Sequence, residues 1–124
     1  MKVMLTGATG FIGGHLMSAI LNEGHELSLL VRDEEKLERM KSLHKIEVDL
    51  TYTIGDMTNE RAILEALEGC DACVHAAAFT SLDPSQMDKA LKVNGPGAKL
   101  ILDLAVDNGC DPVVHLSTMS VIFP

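Results

Sequence analysis

Short apolar runs alternate along the chain with longer amphipathic stretches. Lys2–Thr6 and Glu26–Val31 are compact apolar runs, the pattern of strands covered on both faces. Residues 46–54 place Val48, Leu50, Tyr52 and Ile54 at alternate positions, which predicts a third strand with one wet face, at a sheet edge. Residues 72–76 and 112–117 read as a fourth and a fifth strand. Between the strands lie helical periods. Residues 11–23 carry Ile12, Leu16, Ala19 and Ile20 at near-helical spacing and stop at Gly24. Residues 33–43 are charged, with Leu37 and Met40 three apart, and 59–67 form a third helix that ends before Gly69. A long helical pattern covers 85–108 and contains Gly95-Pro96-Gly97. Pro96 has no N–H and crowds the preceding turn, so a kink or break is expected there.

Strand–helix alternation over the whole chain predicts an α/β fold: a doubly wound parallel sheet of about five strands in the order 3-2-1-4-5. Such sheets bind ligands at the carboxyl ends of the strands, where the strand order reverses. That point falls between the first and fourth strands, beside Gly7 and Ala76. Thr6-Gly7-Ala8-Thr9-Gly10-Phe11-Ile12-Gly13 occupies the adjoining strand-to-helix turn. Gly7 permits a tight turn, Gly10 leaves room for a pyrophosphate at the backbone, and Gly13 lets the helix pack closely. The phosphates would sit at the positive end of the helix that begins near Phe11. The motif thus marks Gly7, Thr9, Gly10, Phe11, Ile12 and Gly13 as cofactor-binding positions.

Composition narrows the ligand. The chain has 124 residues, the size of one domain, with a net charge of -8. That balance argues against nucleic acid or an anionic membrane surface as partner. A small phosphorylated ligand stays compatible, because backbone N–H groups hold phosphate without side-chain charge. No apolar run approaches the ~20 residues of a membrane helix. Three cysteines and no export signal point to reduced thiols in the cytoplasm. Cys70-Asp71-Ala72-Cys73 runs into a strand, whereas a redox pair of this spacing opens a helix. The five histidines show no paired metal spacing, so no metal is expected.

The Gly-x-x-Gly-x-x-Gly spacing resembles the short-chain dehydrogenase/reductase superfamily, which shares the Rossmann fold, and its extended branch in particular. Other stretches agree in order: Gly55-Asp56-Met57 after the third strand, His75-Ala76-Ala77-Ala78 at the end of the fourth, Val93-Asn94 followed by Gly97, and the run from His115 to Val121. The branch with sugar-nucleotide epimerases, dihydroflavonol reductases and 3β-hydroxysteroid dehydrogenases is the nearest match. The resemblance implies that Asp56 accepts from the adenine amino group while Met57 contacts the ring; Asp56 also suits a chain-turning role. It implies a small-residue floor for the cofactor at Ala76, Ala77 and Ala78. It assigns the substrate-facing hydroxyl to Thr118, three before Val121, with Ser117 as the neighbouring candidate.

Arg32 follows directly on the second strand and fits the 2′-phosphate of NADP; Asp33 is the rival, either on a ribose, favouring NAD, or as a helix cap. Lys36 is a second candidate for that phosphate. The family's Tyr-x-x-x-Lys is not found: the one tyrosine, Tyr52, has no lysine four residues on. The sequence therefore reads as the NADP(H)-binding portion of a longer oxidoreductase or epimerase that moves hydride at a hydroxyl or carbonyl carbon. A non-catalytic NADP-binding sensor or subunit is the alternative. The small-molecule substrate is left open, and an apolar edge around residues 113–123 predicts self-association.

Overall fold

The computed structural model describes residues 1–119. Five parallel strands, β1 (Lys2–Thr6), β2 (Glu26–Val31), β3 (Thr51–Ile54), β4 (Ala72–His75) and β5 (Val113–His115), lie in the order β3-β2-β1-β4-β5, as the alternation predicts. Helices α1 (Phe11–Asn22) and α2 (Glu34–Leu43) cover one face, and α3 (Glu60–Leu67) and α5 (Ala98–Asp107) the other. In β1 the two-residue period divides the side chains. Val3 and Leu5 pack with Met17 and Leu37, while Met4 packs with Ile63, Ile101 and Cys73. Both sets are buried, which is why β1 reads as an apolar run rather than an alternating one; in β2 the interior polar residue, Ser28, is buried with its hydroxyl donating to the Ala66 carbonyl.

Three elements differ from expectation. The third strand is shorter: only Thr51–Ile54 pairs, opposite Ser28–Val31 of β2. Residues 47–49 are exposed, so their alternation has no partner strand to act on. The fifth strand is likewise trimmed to Val113–His115. The long helical stretch is divided into a 3-10 turn at Pro84–Gln86, α4 (Met87–Lys92), a π-helical segment Val93–Gly97 that contains Pro96, and α5. The expected break is thus a widening. A π turn removes the need for the Pro96 N–H and relieves the ring from the turn before it, so the chain continues without a sharp stop.

Two glycines set how closely the layers meet. Gly7 has φ +80, and a Cβ there would lie 2.7 Å from the carbonyl carbon of Ala76 and from the nitrogen of Ala77. At Gly13 a Cβ would come 1.9 Å from the Gly7 carbonyl oxygen, so α1 rests directly on the turn leaving β1. β5 is paired with β4 and, among the described residues, forms the sheet edge; Val114 and His115 are exposed on it. Residues 120–124, the rest of the expected apolar edge, lie outside the described residues.

The obstacle at Gly13 is backbone, which cannot swing aside. Gly13→Ala should therefore cost roughly 3 kcal/mol or more in urea unfolding. Gly95→Ala, with nothing within 4 Å of the added methyl, should change stability by less than about 1 kcal/mol.

Candidate functional site

A cleft of about 290 Å³ opens at the carboxyl ends of β1, β2 and β4. Its walls are Thr6, Gly7, Thr9, Gly10, Leu30, Val31, Arg32, Lys36, Gly55, Asp56, Met57, Ala76, Ala77, Ala78, Phe79 and Val93. Of the residues singled out from sequence, Gly7, Thr9, Gly10, Arg32, Asp56, Met57 and Ala76–78 are gathered here. Phe11 and Ile12 are not among the lining side chains; both are exposed, and Phe11 turns its ring edge-on to His15. Their backbone groups form the first turn of α1. Gly13 lies beneath, against Gly7. Ser117 and Thr118 follow β5, are exposed, and do not line the cleft. Val121, from which Thr118 was counted, lies outside the described residues.

The start of α1 is built to receive an acceptor. Gly10 is its N-cap and supplies no side-chain hydrogen bond, and the first turn holds no acidic residue. The first N–H groups of a helix have no partner within it, and the helix dipole adds positive potential there. By contrast, α2 is capped by its own Asp33, which accepts from the Lys36 N–H at 3.1 Å, and α3 by Asn59. Of the two roles weighed for Asp33, the cap is the one formed. A shallow recess lined by Thr9, Arg32, Asp33 and Lys36 adjoins the cleft.

Asp56 sits at the turn after β3. Its Oδ1 accepts from the Thr58 N–H and hydroxyl, both at 2.7 Å. Those bonds, chiefly the hydroxyl's, hold the carboxyl below its ordinary range, with Arg32 and Lys89 adding positive potential. The opposite wall is fixed from within. Thr6 Oγ1 lies 2.6 Å from His75 Nδ1 and accepts from the Ala77 N–H at 3.2 Å. His75 is fully buried, and its Nε2 has no hydrogen-bond partner among the described residues. Its ring stacks on His115 with centroids 5.1 Å apart. Burial, and secondarily the nearby His115, push the His75 pKa down to about 4. A second ring N–H would have no acceptor, so the imidazole stays neutral.

Sequence reasoning missed Phe79, Val93 and the clasp that joins their segments. Asn94 Oδ1 accepts from the Phe79 N–H and its Nδ2 donates to the Phe79 carbonyl, both at 2.8 Å. The Asn94 signal was read, but nothing local in the sequence names Phe79 as its partner fifteen residues away. Tyr52, on β3, donates to the Glu34 carboxylate, which raises the phenol pKa. The thiols are inert by position: burial pushes Cys73 up to about 12 and also raises Cys70, opposite to the shift a redox pair needs. No group of three or more metal-ligating side chains occurs among the described residues. No helix among them is long and apolar enough to cross a membrane.

Residues 4–124 match the model of the 3-beta hydroxysteroid dehydrogenase/isomerase family. The chain belongs to that family. This family lies in the extended short-chain dehydrogenase/reductase branch, so the resemblance read from the glycine spacing is correct. Over 122 residues the chain is 30% identical to sterol demethylase protein B of Methylococcus capsulatus, covering 98% of the chain and 36% of that relative. It is 33% identical over 129 residues to a UDP-glucose 4-epimerase of Rickettsia conorii, covering 98% of the chain and 38% of the relative. The chain thus spans just over a third of the length of these curated relatives. A solved UDP-glucose 4-epimerase from Stenotrophomonas maltophila, with bound NAD and formylated UDP-arabinopyranose, has the same fold. The TM-score is 0.81 at 23% identity, covering 98% of this chain and 38% of that one.

His75 gives the site a pH signature. The unfolded chain takes up this proton near 6.5, the folded one only near 4. Stability is therefore full above pH 6.5 and falls as pH drops from 6.5 to 4, by roughly 3 kcal/mol across the window. Urea unfolding at pH 7.5 and 4.5 should show a drop larger by about 2 kcal/mol or more in the wild type than in His75→Phe. Equal drops would contradict the burial of a neutral imidazole.

Proposed function

We propose that this family member binds NADP(H) in the cleft at the β1–β4 junction and is the cofactor-binding portion of an oxidoreductase or epimerase. One observation carries the choice of NADP over NAD. Where β2 ends, Arg32 and Lys36 line a recess beside the cleft, and the one carboxylate there, Asp33, caps its own helix. A ribose 2′-phosphate would gain two cations in that recess, whereas a free 2′-hydroxyl would find its usual acceptor engaged.

The residues fit the cofactor along its length. The uncapped start of α1, with Phe11, Ile12 and Gly13 in its first turn, would hold the pyrophosphate at the backbone, where Gly10 leaves space. Asp56 would accept from the adenine amino group through the oxygen not used by Thr58, while Met57 touches the ring. Ala76, Ala77 and Ala78 would form the floor. The family model supports a dinucleotide in this place, and the Stenotrophomonas epimerase carries NAD on the same fold. The cofactor would supply a hydride donor or acceptor for a hydroxyl or carbonyl carbon.

Thr118 would orient that oxygen, with Ser117 beside it at the same end of the sheet. No tyrosine among the chain's own residues can take the family's proton-exchange role, since Tyr52 is engaged with Glu34 on β3. In this reading the Tyr-x-x-x-Lys pair and the substrate pocket come from outside residues 1–124, and the whole acts on a small molecule in the cytoplasm. The exposed β5 edge would self-associate when uncovered.

Titration of the purified chain tests the cofactor. NADPH should bind more tightly than NADH. Gly10→Val keeps a backbone that valine tolerates, at φ -92 and ψ 172, with the Gly7 oxygen as its one close neighbour at 3.3 Å. It should lower NADPH affinity at least ~10-fold without unfolding the chain, checked by circular dichroism. Arg32→Asp should cost NADPH about 100-fold and spare NADH, because a charge-assisted contact becomes repulsive. Equal effects on both cofactors would remove Arg32 as the discriminator.

Sedimentation addresses the edge. The chain should show a concentration-dependent oligomer, and Val114→Lys should shift it to monomer. A monomer at every concentration tested would count against the exposed edge as a contact.

A further inference from the structure

The chain carries 18 acidic and 10 basic residues, yet two of the three charged side chains that line its cleft are basic. Arg32 and Lys36 approach from β2 and α2. A third cation stands beside the cleft, on the side formed by Phe79. The Lys89 ammonium lies over the Phe79 ring, 4.6 Å from its centroid, and Phe79 lines the cleft. The main chain that carries the ring is anchored, because both polar backbone groups of Phe79 are held by the Asn94 amide. Lys89 is close enough to Asp56 to act on it electrostatically. None of the ion pairs formed among the described residues involves Lys89; those pairs are Lys36–Asp33, Lys41–Glu38 and Lys99–Asp103.

We propose that Lys89 is a further binding residue of the cleft, a cation on α4 that leaves the face of Phe79 to pair with a phosphate oxygen of the bound nucleotide. The inference rests on the dinucleotide reading above and adds a residue to it. Physical chemistry favours the exchange. An exposed cation–π contact is a weak interaction, whereas a charge-assisted hydrogen bond to phosphate is among the stronger ones. Lysine presents a compact charge on a flexible stem, so it can change partner while its methylenes stay on the ring. The ring then serves as a rest position that holds the charge at the cleft mouth before the ligand arrives.

Binding of NADPH, ADP and adenosine to the full chain tests this, with Lys89→Met and Lys89→Arg. Methionine retains an apolar stem on Phe79 and removes only the charge. Lys89→Met should weaken NADPH and ADP about 5- to 10-fold, leave adenosine within about twofold, and flatten the dependence of log Kd on log salt. Lys89→Arg should restore most of the loss. If adenosine weakens in step with ADP, Lys89 acts only by supporting Phe79 and the proposal falls. If the wild type binds NADPH and Lys89→Met binds it equally well, the Lys89 contact is overturned while the cofactor reading stands. If the wild type binds neither NADPH nor ADP, both readings are overturned.

Discussion

The cleft depends on how closely three backbone segments meet at Gly7. Its left-handed φ turns the chain away from β1, and the absence of a Cβ lets the chain leaving β4 pass against it. Gly13 then brings α1 down onto the carbonyl of Gly7 itself. A methyl group at either position would meet main chain. No rotamer change relieves such a clash, so the layers would have to separate. Separation would move the start of α1 and its N-cap Gly10 away from Ala76–Ala78 on the opposite wall of the cleft.

Polar groups under the floor hold the β4 side of this contact. Thr6 and His75 occupy the last positions of paired strands, β1 and β4, and the parallel register sets them side by side. The threonine hydroxyl then takes the Ala77 N–H, so the first residues beyond β4 are fixed before any ligand binds. An orphaned buried nitrogen on His75 is tolerated because the ring stays neutral. On the far side Asn94 performs the same office for Phe79. Its place in the π-helical segment follows from Pro96, whose missing N–H permits the wider turn. The helix irregularity and the wall of the cleft are thus one feature.

Electrostatics acts on this frame locally rather than globally. An acidic chain has little reason to attract anions at a distance, and the field at the cleft comes from an uncapped helix start and three nearby basic residues. Asp33 shows how local partners set the charge at one end of the cleft. Used as a cap for α2, it leaves the end of β2 to Arg32 and Lys36.

The strand order, the helix positions and the glycine turn were legible in the sequence because each rests on local rules. Buried parallel strands need continuous apolar runs, helices need their period, and a turn against a phosphate needs glycine. The extent of β3 was not legible, since alternation at 46–50 looks the same whether or not those residues pair with β2, and pairing begins only at Thr51 opposite Ser28. The Cys70–Cys73 pair runs into the strand β4, a placement visible in the sequence, and both thiols are buried. Residues such as Phe79, Val93 and Lys89 could not be assigned, as their roles depend on contacts between segments far apart in the chain. The same holds for Asp33, whose two roles differ only in which neighbour its carboxylate meets. Sequence by itself determined which backbone is built; tertiary structure decided which side chains share a cleft, because packing of distant segments, not local propensity, sets those distances.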